Sequence, residues 1–93
     1  MTNSFKLTRT PKFDERLEEL PKETQERVLK KLQEFGKQVN EYSVDPRQHG
    51  STKYIAEKRV WRLRIGDYRA FFDILGDEIK FLTVRHRKDA YKR

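Results

Sequence analysis

The sequence contains no cysteine, only one methionine, four glycines and three prolines. Without cysteine, neither a disulfide framework nor a zinc site built on thiolates is possible. There is no apolar run of membrane-spanning length and no signal-peptide core. A Gly-rich phosphate loop, a Ser-His-Asp arrangement and a cluster of metal ligands are also missing. We therefore expect one soluble, cytoplasmic domain over residues 1–93, with a modest core and no metal or cofactor.

Positive charge is what the chain has in excess, and it is concentrated in the last third. The formal net charge is +7, from 22 Lys and Arg against 15 Asp and Glu. Residues 1–57 hold 11 cations and 10 anions, whereas residues 58–93 hold 11 cations and 5 anions. This asymmetry predicts a partner that carries phosphate groups or an acidic protein partner, with a merely solubilising surface as the alternative.

Two helices are predicted ahead of the basic region. Thr10 and Pro11 suit the N-cap and first turn of one helix, and Pro21 ends it and opens the next. The second helix is amphipathic, because apolar residues recur at spacings of four and three. Those residues are Val28, Leu32, Phe35, Val39 and Tyr42. We expect the two helices to form an antiparallel hairpin that supports a sheet.

One short strand around residues 5–8 precedes the helices, and strands at 59–65, 68–75 and 78–85 follow them. The loop at 43–58 separates the two regions, and Tyr54 and Ile55 could begin the next strand early. Gly-Asp pairs at 66–67 and 76–77 predict two-residue turns that fix the register of both hairpins. Arg64 then faces Arg69, although like charges opposite each other destabilise a sheet.

One face of this predicted sheet is apolar and suits a cover of helices. We call the opposite face the arginine face. It is predicted to carry Arg62, Arg64, Arg69, Phe71, Asp73, Lys80, Leu82, Val84 and His86. Guanidinium groups bind phosphate through paired N–H donors, so this face suits a polyanion and, as chemistry, metal-free RNA cleavage.

Residues 85–91 leave the last strand near the same end of the sheet. Tyr91 could stack on a base, as aromatic side chains do in proteins that bind single-stranded RNA. Histidine is the residue type that most often transfers protons at neutral pH, so His86 is a candidate for that role. It is either a proton-transfer group or an ordinary, partly exposed histidine.

The order of a strand, a helical hairpin and three strands, with WRLRIGDYR and then VRHRKDAY, resembles the RelE/ParE toxin superfamily of type II toxin–antitoxin systems. The resemblance implies an α+β fold, β-α-α-β-β-β, with a curved antiparallel sheet packed on a helical hairpin. A RelE-type member is a ribosome-dependent endoribonuclease that cuts mRNA in the A site and leaves a 2′,3′-cyclic phosphate. The implied partners are a cognate antitoxin, the ribosome and mRNA, with operator DNA bound only through the antitoxin complex.

The resemblance also implies roles for individual residues. Arg69 matches the catalytic strand arginine, Arg87 the arginine after the last strand, and Tyr91 the tyrosine that stacks on a base. Arg62 falls at one of two strand-lysine positions, and the other position is Val60, a departure from the family. The proton-transfer group is therefore open among Lys58, Arg59 and His86. The expected catalytic set is Arg62, Arg69, Arg87, Tyr91 and His86, and the expected phosphate-binding set is Arg64, Lys58, Arg59, Arg85 and Lys88.

Two other functions remain open from the sequence. ParE-type members share the fold but inhibit DNA gyrase by contact, and they generally lack the full arginine–tyrosine set. Because Val60 replaces a lysine, a catalytically decayed toxin that only binds its antitoxin or RNA is the other possibility.

Overall fold

The computed structural model describes residues 4–90, in which two helices lie against a five-stranded sheet. The sheet order is β1-β5-β4-β3-β2, with β1 parallel to β5 and every other pair antiparallel. The predicted α+β fold is confirmed, and the structure adds a fifth strand and one parallel pair. The elements are β1 (Lys6–Arg9), α1 (Pro11–Glu18), α2 (Lys22–Glu41), β2 (Thr52–Ile55), β3 (Val60–Ile65), β4 (Tyr68–Leu75) and β5 (Glu78–His86).

Both predicted helices are present. Thr10 caps α1, since its Oγ1 accepts a hydrogen bond from the N–H of Phe13 at 3.1 Å. The predicted apolar face of α2 is buried except at its end. Its buried residues are Val28, Leu32, Phe35 and Val39. The prediction for Tyr42 is wrong, because the helix ends one residue earlier and this C-cap side chain is 65% exposed.

Both hairpins have the predicted register next to their turns. Gly66 and Gly76 adopt φ angles of +57° and +61° in their turns, which suits glycine because it lacks a Cβ atom. Arg64 is opposite Arg69, as the first turn predicts. The second turn likewise places Asp73 opposite a lysine, Lys80.

Strand β5 contains a β-bulge that the sequence did not predict. Phe71 is opposite Thr83, whereas the next residue of β4, Phe72, is opposite Phe81. Leu82 is therefore an extra residue without a partner on β4. Because side chains alternate along a strand, one extra residue exchanges the two faces for every residue beyond it.

This exchange corrects two predicted positions and brings Arg85 to the arginine face. Val84 and His86 were expected on the arginine face but lie on the helix side, where Val84 joins the main core and His86 contacts the Tyr68 ring. Arg85 lies instead on the arginine face, directly opposite Arg69.

The predicted loop at 43–58 contains a separate strand, β2, where the sequence predicts an early start of β3. Between them is a tight turn in which the Lys58 N–H donates to Ile55 O at 3.1 Å. Arg59 completes the turn with a φ of +54°, in the left-handed region. β2 then pairs antiparallel with β3 along the edge of the sheet.

The structure has two hydrophobic clusters, one on each side of the sheet. The main core lies between the sheet and the helices. Its fully buried side chains include Phe13, Phe35, Leu63, Phe72, Ile79 and Phe81. The outer apolar cluster lies on the arginine face and consists of Ile55, Phe71 and Ala90, with Val60 packed against them. Within residues 4–90, no helix is both long and apolar enough to cross a membrane.

Candidate nucleic-acid interface

Three arginines from adjacent strands form an arginine row across the arginine face. Arg64 on β3 is opposite Arg69 on β4, and Arg69 is opposite Arg85 on β5. Directly opposed residues have Cβ atoms about 5 Å apart, so the row brings three cations close together. In the part of the chain that the structure describes, none of the three forms an ion pair with a carboxylate. The row therefore keeps its charge available for a ligand.

The guanidinium group of Arg69 is held against the β3–β4 turn. Its Nη1 donates to the carbonyl oxygens of Gly66 and Tyr68, both at 2.9 Å. A guanidinium carries five N–H donors in a planar fork. Two backbone contacts through one nitrogen thus position the group and leave its other donors for a phosphate.

Arg87 reaches the same turn from the chain that follows β5. Its N–H donates to Asp67 O at 2.7 Å, and its Nε lies 3.7 Å from Asp67 Oδ1. An exposed ion pair of this kind adds little stability. The two contacts nevertheless place Arg87 beside the arginine row.

A basic groove of about 680 Å³ lies between α2 and the β3–β4 turn. It joins part of the arginine row and Arg87 to residues of α2. Within residues 4–90, its charged lining consists of Arg27, Lys30, Lys31, Arg64, Arg69 and Arg87, with Glu34 and Asp67 as the two carboxylates. The charges on α2 fall at spacings of three and four, which places them on one face of the helix. That spacing is visible in the sequence, but the element that the face meets is not.

Arg62 occupies the next row across the arginine face, where Phe71 separates it from Thr83. The Arg62 Nε and the Thr83 Oγ1 are both buried and have no hydrogen-bond partner among residues 4–90. Arg62 therefore shares the face with the arginine row but does not line the basic groove.

Lys58 and Arg59 lie near the outer apolar cluster. The Lys58 Nζ is 6.0 Å from the centroid of the Phe71 ring. Lys58 also lines a cavity of about 370 Å³ together with Arg85, a member of the arginine row. Arg59 is exposed in the β2–β3 turn. Lys58 is thus the one of these two that adjoins the row.

His86 is not brought together with the arginine row, because the β-bulge turns it to the helix side. Its ring meets the Tyr68 ring edge-on, with centroids 5.2 Å apart, and its Nδ1 accepts from the Lys88 N–H at 3.1 Å. The cavity beside it is shared with Arg16 of α1.

The chain after β5 turns back over the arginine face. Lys88 is exposed in the turn, and Ala90 is only 1% exposed because it packs in the outer apolar cluster. This packing fixes the end of the described chain next to the arginine row. Tyr91 lies outside the described residues.

The second histidine, His49, is hydrogen-bonded to Ser51 of the groove lining and is not predicted as a site residue. Its Nδ1 accepts a hydrogen bond from the Ser51 N–H at 3.0 Å, so its Nε2 carries the proton and donates to Gln38 Oε1 at 2.5 Å. Burial and, less strongly, the charge of Lys31 lower the pKa of His49. Ser51 lines the groove, so neutral His49 holds one of its walls in place.

The arrangement suits the binding of phosphodiesters and the stabilisation of negative charge on their oxygens. Strands and a helix position the guanidinium groups, which can bind two oxygens of one phosphate at once. Among residues 4–90, no group of three or more His, Asp or Glu side chains is placed to hold a metal ion.

Known proteins resemble this chain in sequence and in fold. Residues 7–91 match the family described as the ParE toxin of type II toxin–antitoxin systems, parDE. A chain of the RelB–RelE antitoxin–toxin complex from Methanococcus jannaschii is 25% identical, with a TM-score of 0.66 over 90% of this chain and 94% of that one. No curated protein matches the sequence.

Two further structures share the fold. A chain of the RelBE2 toxin–antitoxin complex from Mycobacterium tuberculosis is 17% identical, with a TM-score of 0.65 over 96% of this chain and 98% of that one. A chain of the archaeal RelE–RelB complex from Pyrococcus horikoshii is 22% identical, with a TM-score of 0.60 over 97% of this chain and 100% of that one.

Proposed function

This chain belongs to the ParE toxin family of type II toxin–antitoxin systems, within the RelE/ParE superfamily, and we propose that it is a ribosome-dependent endoribonuclease that cleaves mRNA. The resemblance drawn from the sequence is confirmed at the level of this superfamily. The three similar structures are toxin–antitoxin complexes, which supports a cognate antitoxin as a partner. The ribosome and mRNA are partners of the proposed activity, and operator DNA is reached only through the antitoxin.

The observation that carries the proposal is the arginine row, which forms no ion pair with a carboxylate of residues 4–90. Arg87 adds a fourth guanidinium beside it, at the β3–β4 turn. A phosphodiester lying across these groups gains charge-assisted hydrogen bonds from several elements at once. It also relieves the repulsion between the opposed arginines.

In the proposed reaction, the ribose 2′-oxygen attacks the adjacent phosphorus. The new O2′–P bond forms as the P–O5′ bond breaks, which yields a 2′,3′-cyclic phosphate and a 5′-hydroxyl. The 2′-hydroxyl gives its proton to solvent water, and the leaving 5′-oxygen gains one from a general acid of the site. Arg69 and Arg87 stabilise the charge that grows on the non-bridging oxygens, while Arg62 and Arg64 bind the neighbouring backbone.

Lys58 is the group we propose as the donor of the proton to the 5′-oxygen. Arginine keeps its proton, which leaves Arg59 unsuited to the task. His86 lies on the helix side of the sheet. Lys58 adjoins the arginine row through the cavity that it shares with Arg85, and an ammonium group can act as a general acid.

The test is cleavage of an mRNA bound to programmed ribosomes, followed by primer extension. The wild type is expected to cut at A-site codons, and Arg69→Ala to lower the single-turnover rate by about 100-fold or more. Arg87→Ala and Tyr91→Ala are expected to act in the same direction. Lys12→Ala, an exposed position on α1, is the control. Wild-type activity in all three variants contradicts the site, and a wild type that leaves the message intact contradicts the function.

Gyrase inhibition is the second candidate, because the family that matches the sequence is described as the ParE toxin. It predicts intact message and DNA cleaved by gyrase when the toxin is induced. A decayed toxin is the third candidate, because Val60 replaces a lysine of the family. It predicts tight binding of the antitoxin, intact message and uncleaved DNA. The state of the message and of the DNA in cells that express the toxin therefore distinguishes all three candidate functions.

A further inference from the structure

We propose that the basic face of α2, formed by Arg27, Lys30 and Lys31, binds an RNA backbone beside the reacting phosphate. The basic groove then has two walls with different tasks. The hairpin wall, formed by Arg64, Arg69 and Arg87, acts on the reacting phosphate. The helix wall, formed by the basic face of α2, supplies affinity. The identity of the ligand as RNA rests on the proposed function.

The cations of the helix wall lie on one side of α2 and line the basic groove. Arg27 and Lys31 are four residues apart, so they lie about 6 Å apart along the helix axis on one side of α2. They line the same groove as Arg64, Arg69 and Arg87. A strand of RNA that enters the groove therefore meets cations on both sides.

The helix wall keeps its charge. Among residues 4–90, Arg27, Lys30 and Lys31 form no ion pair with a carboxylate. Of the two carboxylates in the groove, Asp67 already pairs with Arg87, which leaves Glu34 against the remaining cations. A cleft lined by one sign of charge attracts and concentrates ligands of the opposite sign.

The lining of the groove favours a nucleic acid backbone over a protein. Protein interfaces depend on apolar and aromatic side chains that bury themselves in the partner. Among residues 4–90, Ile65 is the one large apolar residue of the lining, and it is only 2% exposed. Contacts to phosphate need only cations and polar groups on rigid elements.

Contacts at this distance from the reacting atoms predict a specific kinetic signature. They form equally in the bound substrate and in the transition state, so they strengthen binding without accelerating the chemical step. Loss of the helix wall should therefore raise the half-saturating concentration and leave the saturating rate unchanged. Loss of Arg69 should instead lower the saturating rate.

The experiment compares two double variants that remove the same charge. Arg27→Gln/Lys31→Gln removes the helix wall, whereas Lys12→Gln/Lys22→Gln removes two exposed cations elsewhere on the helices. On programmed ribosomes, the first is expected to raise the half-saturating concentration about tenfold, with a saturating rate within about twofold of wild type. The single variant Glu34→Gln should act in the opposite direction and strengthen binding.

Direct binding is measured separately, with a single-stranded RNA oligonucleotide and with vacant ribosomes over a range of salt concentrations. Each lost phosphate contact should reduce the slope of log K against log salt by about 0.7 in the oligonucleotide arm. If the helix-wall variant binds the oligonucleotide more weakly, the wall contacts mRNA. If it binds only the vacant ribosomes more weakly, the wall contacts ribosomal RNA. Either result supports the proposal.

Two results overturn it: equal effects of the two double variants on binding, or a fall in the saturating rate when the helix wall is removed. A wild type that binds RNA with the expected salt dependence but leaves the mRNA on programmed ribosomes uncut refutes the endoribonuclease and retains the helix wall.

Discussion

The arginine face divides into two halves that differ in what they do. Near the β3–β4 turn it presents the arginine row, three like charges that face one another across adjacent strands. Near the β2–β3 turn it carries the outer apolar cluster, in which Phe71 and Ala90 are 4% and 1% exposed. One half suits binding and the other contributes stability.

The magnitudes explain how one strand can serve both halves. Arg69 and Phe71 lie two residues apart on β4 and point to the same side of the sheet. Each pair of opposed like charges costs a few tenths to about 1 kcal/mol. Burial of a phenylalanine contributes about 1.5–3 kcal/mol, so the apolar half offsets the cost of the cationic half.

The largest effect that tests this division is expected for Phe71→Ala. Truncation of this side chain should lower the free energy of unfolding by about 3 kcal/mol, since it leaves a cavity under Ala90 and Ile55. Urea denaturation measures the change. Leu75→Ala, on the same strand but 51% exposed, is the control and should cost less than about 0.5 kcal/mol. Equal losses in both variants would show that the outer apolar cluster does not stabilise the sheet.

The turns explain why part of this face could be predicted from the sequence. Gly66 and Gly76 mark turns whose length fixes the pairing of β3, β4 and β5 near them, so the contact between Arg64 and Arg69 follows from the sequence. The bulge at Leu82 has no comparable signal, because leucine fits a regular strand equally well. Arg85 therefore joins the row only in the structure.

Other features depend on contacts between distant segments. The turn before β3 uses Arg59 in a left-handed conformation, which propensity assigns to glycine or asparagine. Strand β2 was therefore predicted only as an early start of β3. The charges of Arg27 and Lys31 are visible on one face of a helix, but their position across from Arg64 requires the packing of α2 on the sheet.

A smaller change in stability, a gain instead of a loss, is expected when one arginine of the arginine row is replaced. Arg64→Thr removes one like charge from an exposed strand position and introduces a residue that favours strands. The free energy of unfolding should rise by a few tenths to about 1 kcal/mol at low salt. The gain should shrink in 1 M salt, which screens charges beyond about 3 Å, and urea denaturation at both salt concentrations measures it.

Lys80→Thr is the matched control for Arg64→Thr, because Lys80 is opposite Asp73 on the same sheet face. This variant loses an attractive pair instead of a repulsive one, so it should be destabilising. A loss of stability in Arg64→Thr would contradict the view that the cationic half carries a cost.

The smallest of the three effects concerns pH and the wall that holds the cationic half in place. Burial and the nearby charge of Lys31 lower the pKa of His49 in the folded protein below its ordinary value of 6.5. The unfolded chain therefore takes up a proton first as the pH falls. The contribution of neutral His49 to stability is complete above about pH 6.5 and is lost as the pH falls through the lowered pKa.

Urea denaturation at pH 7.5, 6.5 and 5.5 measures this loss, and His49→Gln should reduce it. The His86→Gln variant, which keeps His49, should retain it. Protonation of His49 also places a hydrogen on Nδ1, which then cannot accept from the Ser51 N–H. Because Ser51 O accepts the backbone N–H of Arg64 at 2.9 Å, amide exchange at Arg64 should rise at low pH in the wild type more than in His49→Gln. An equal pH dependence of this exchange in both proteins would show that protonation of His49 does not affect the groove. The hairpin alone would then hold the arginine row in place.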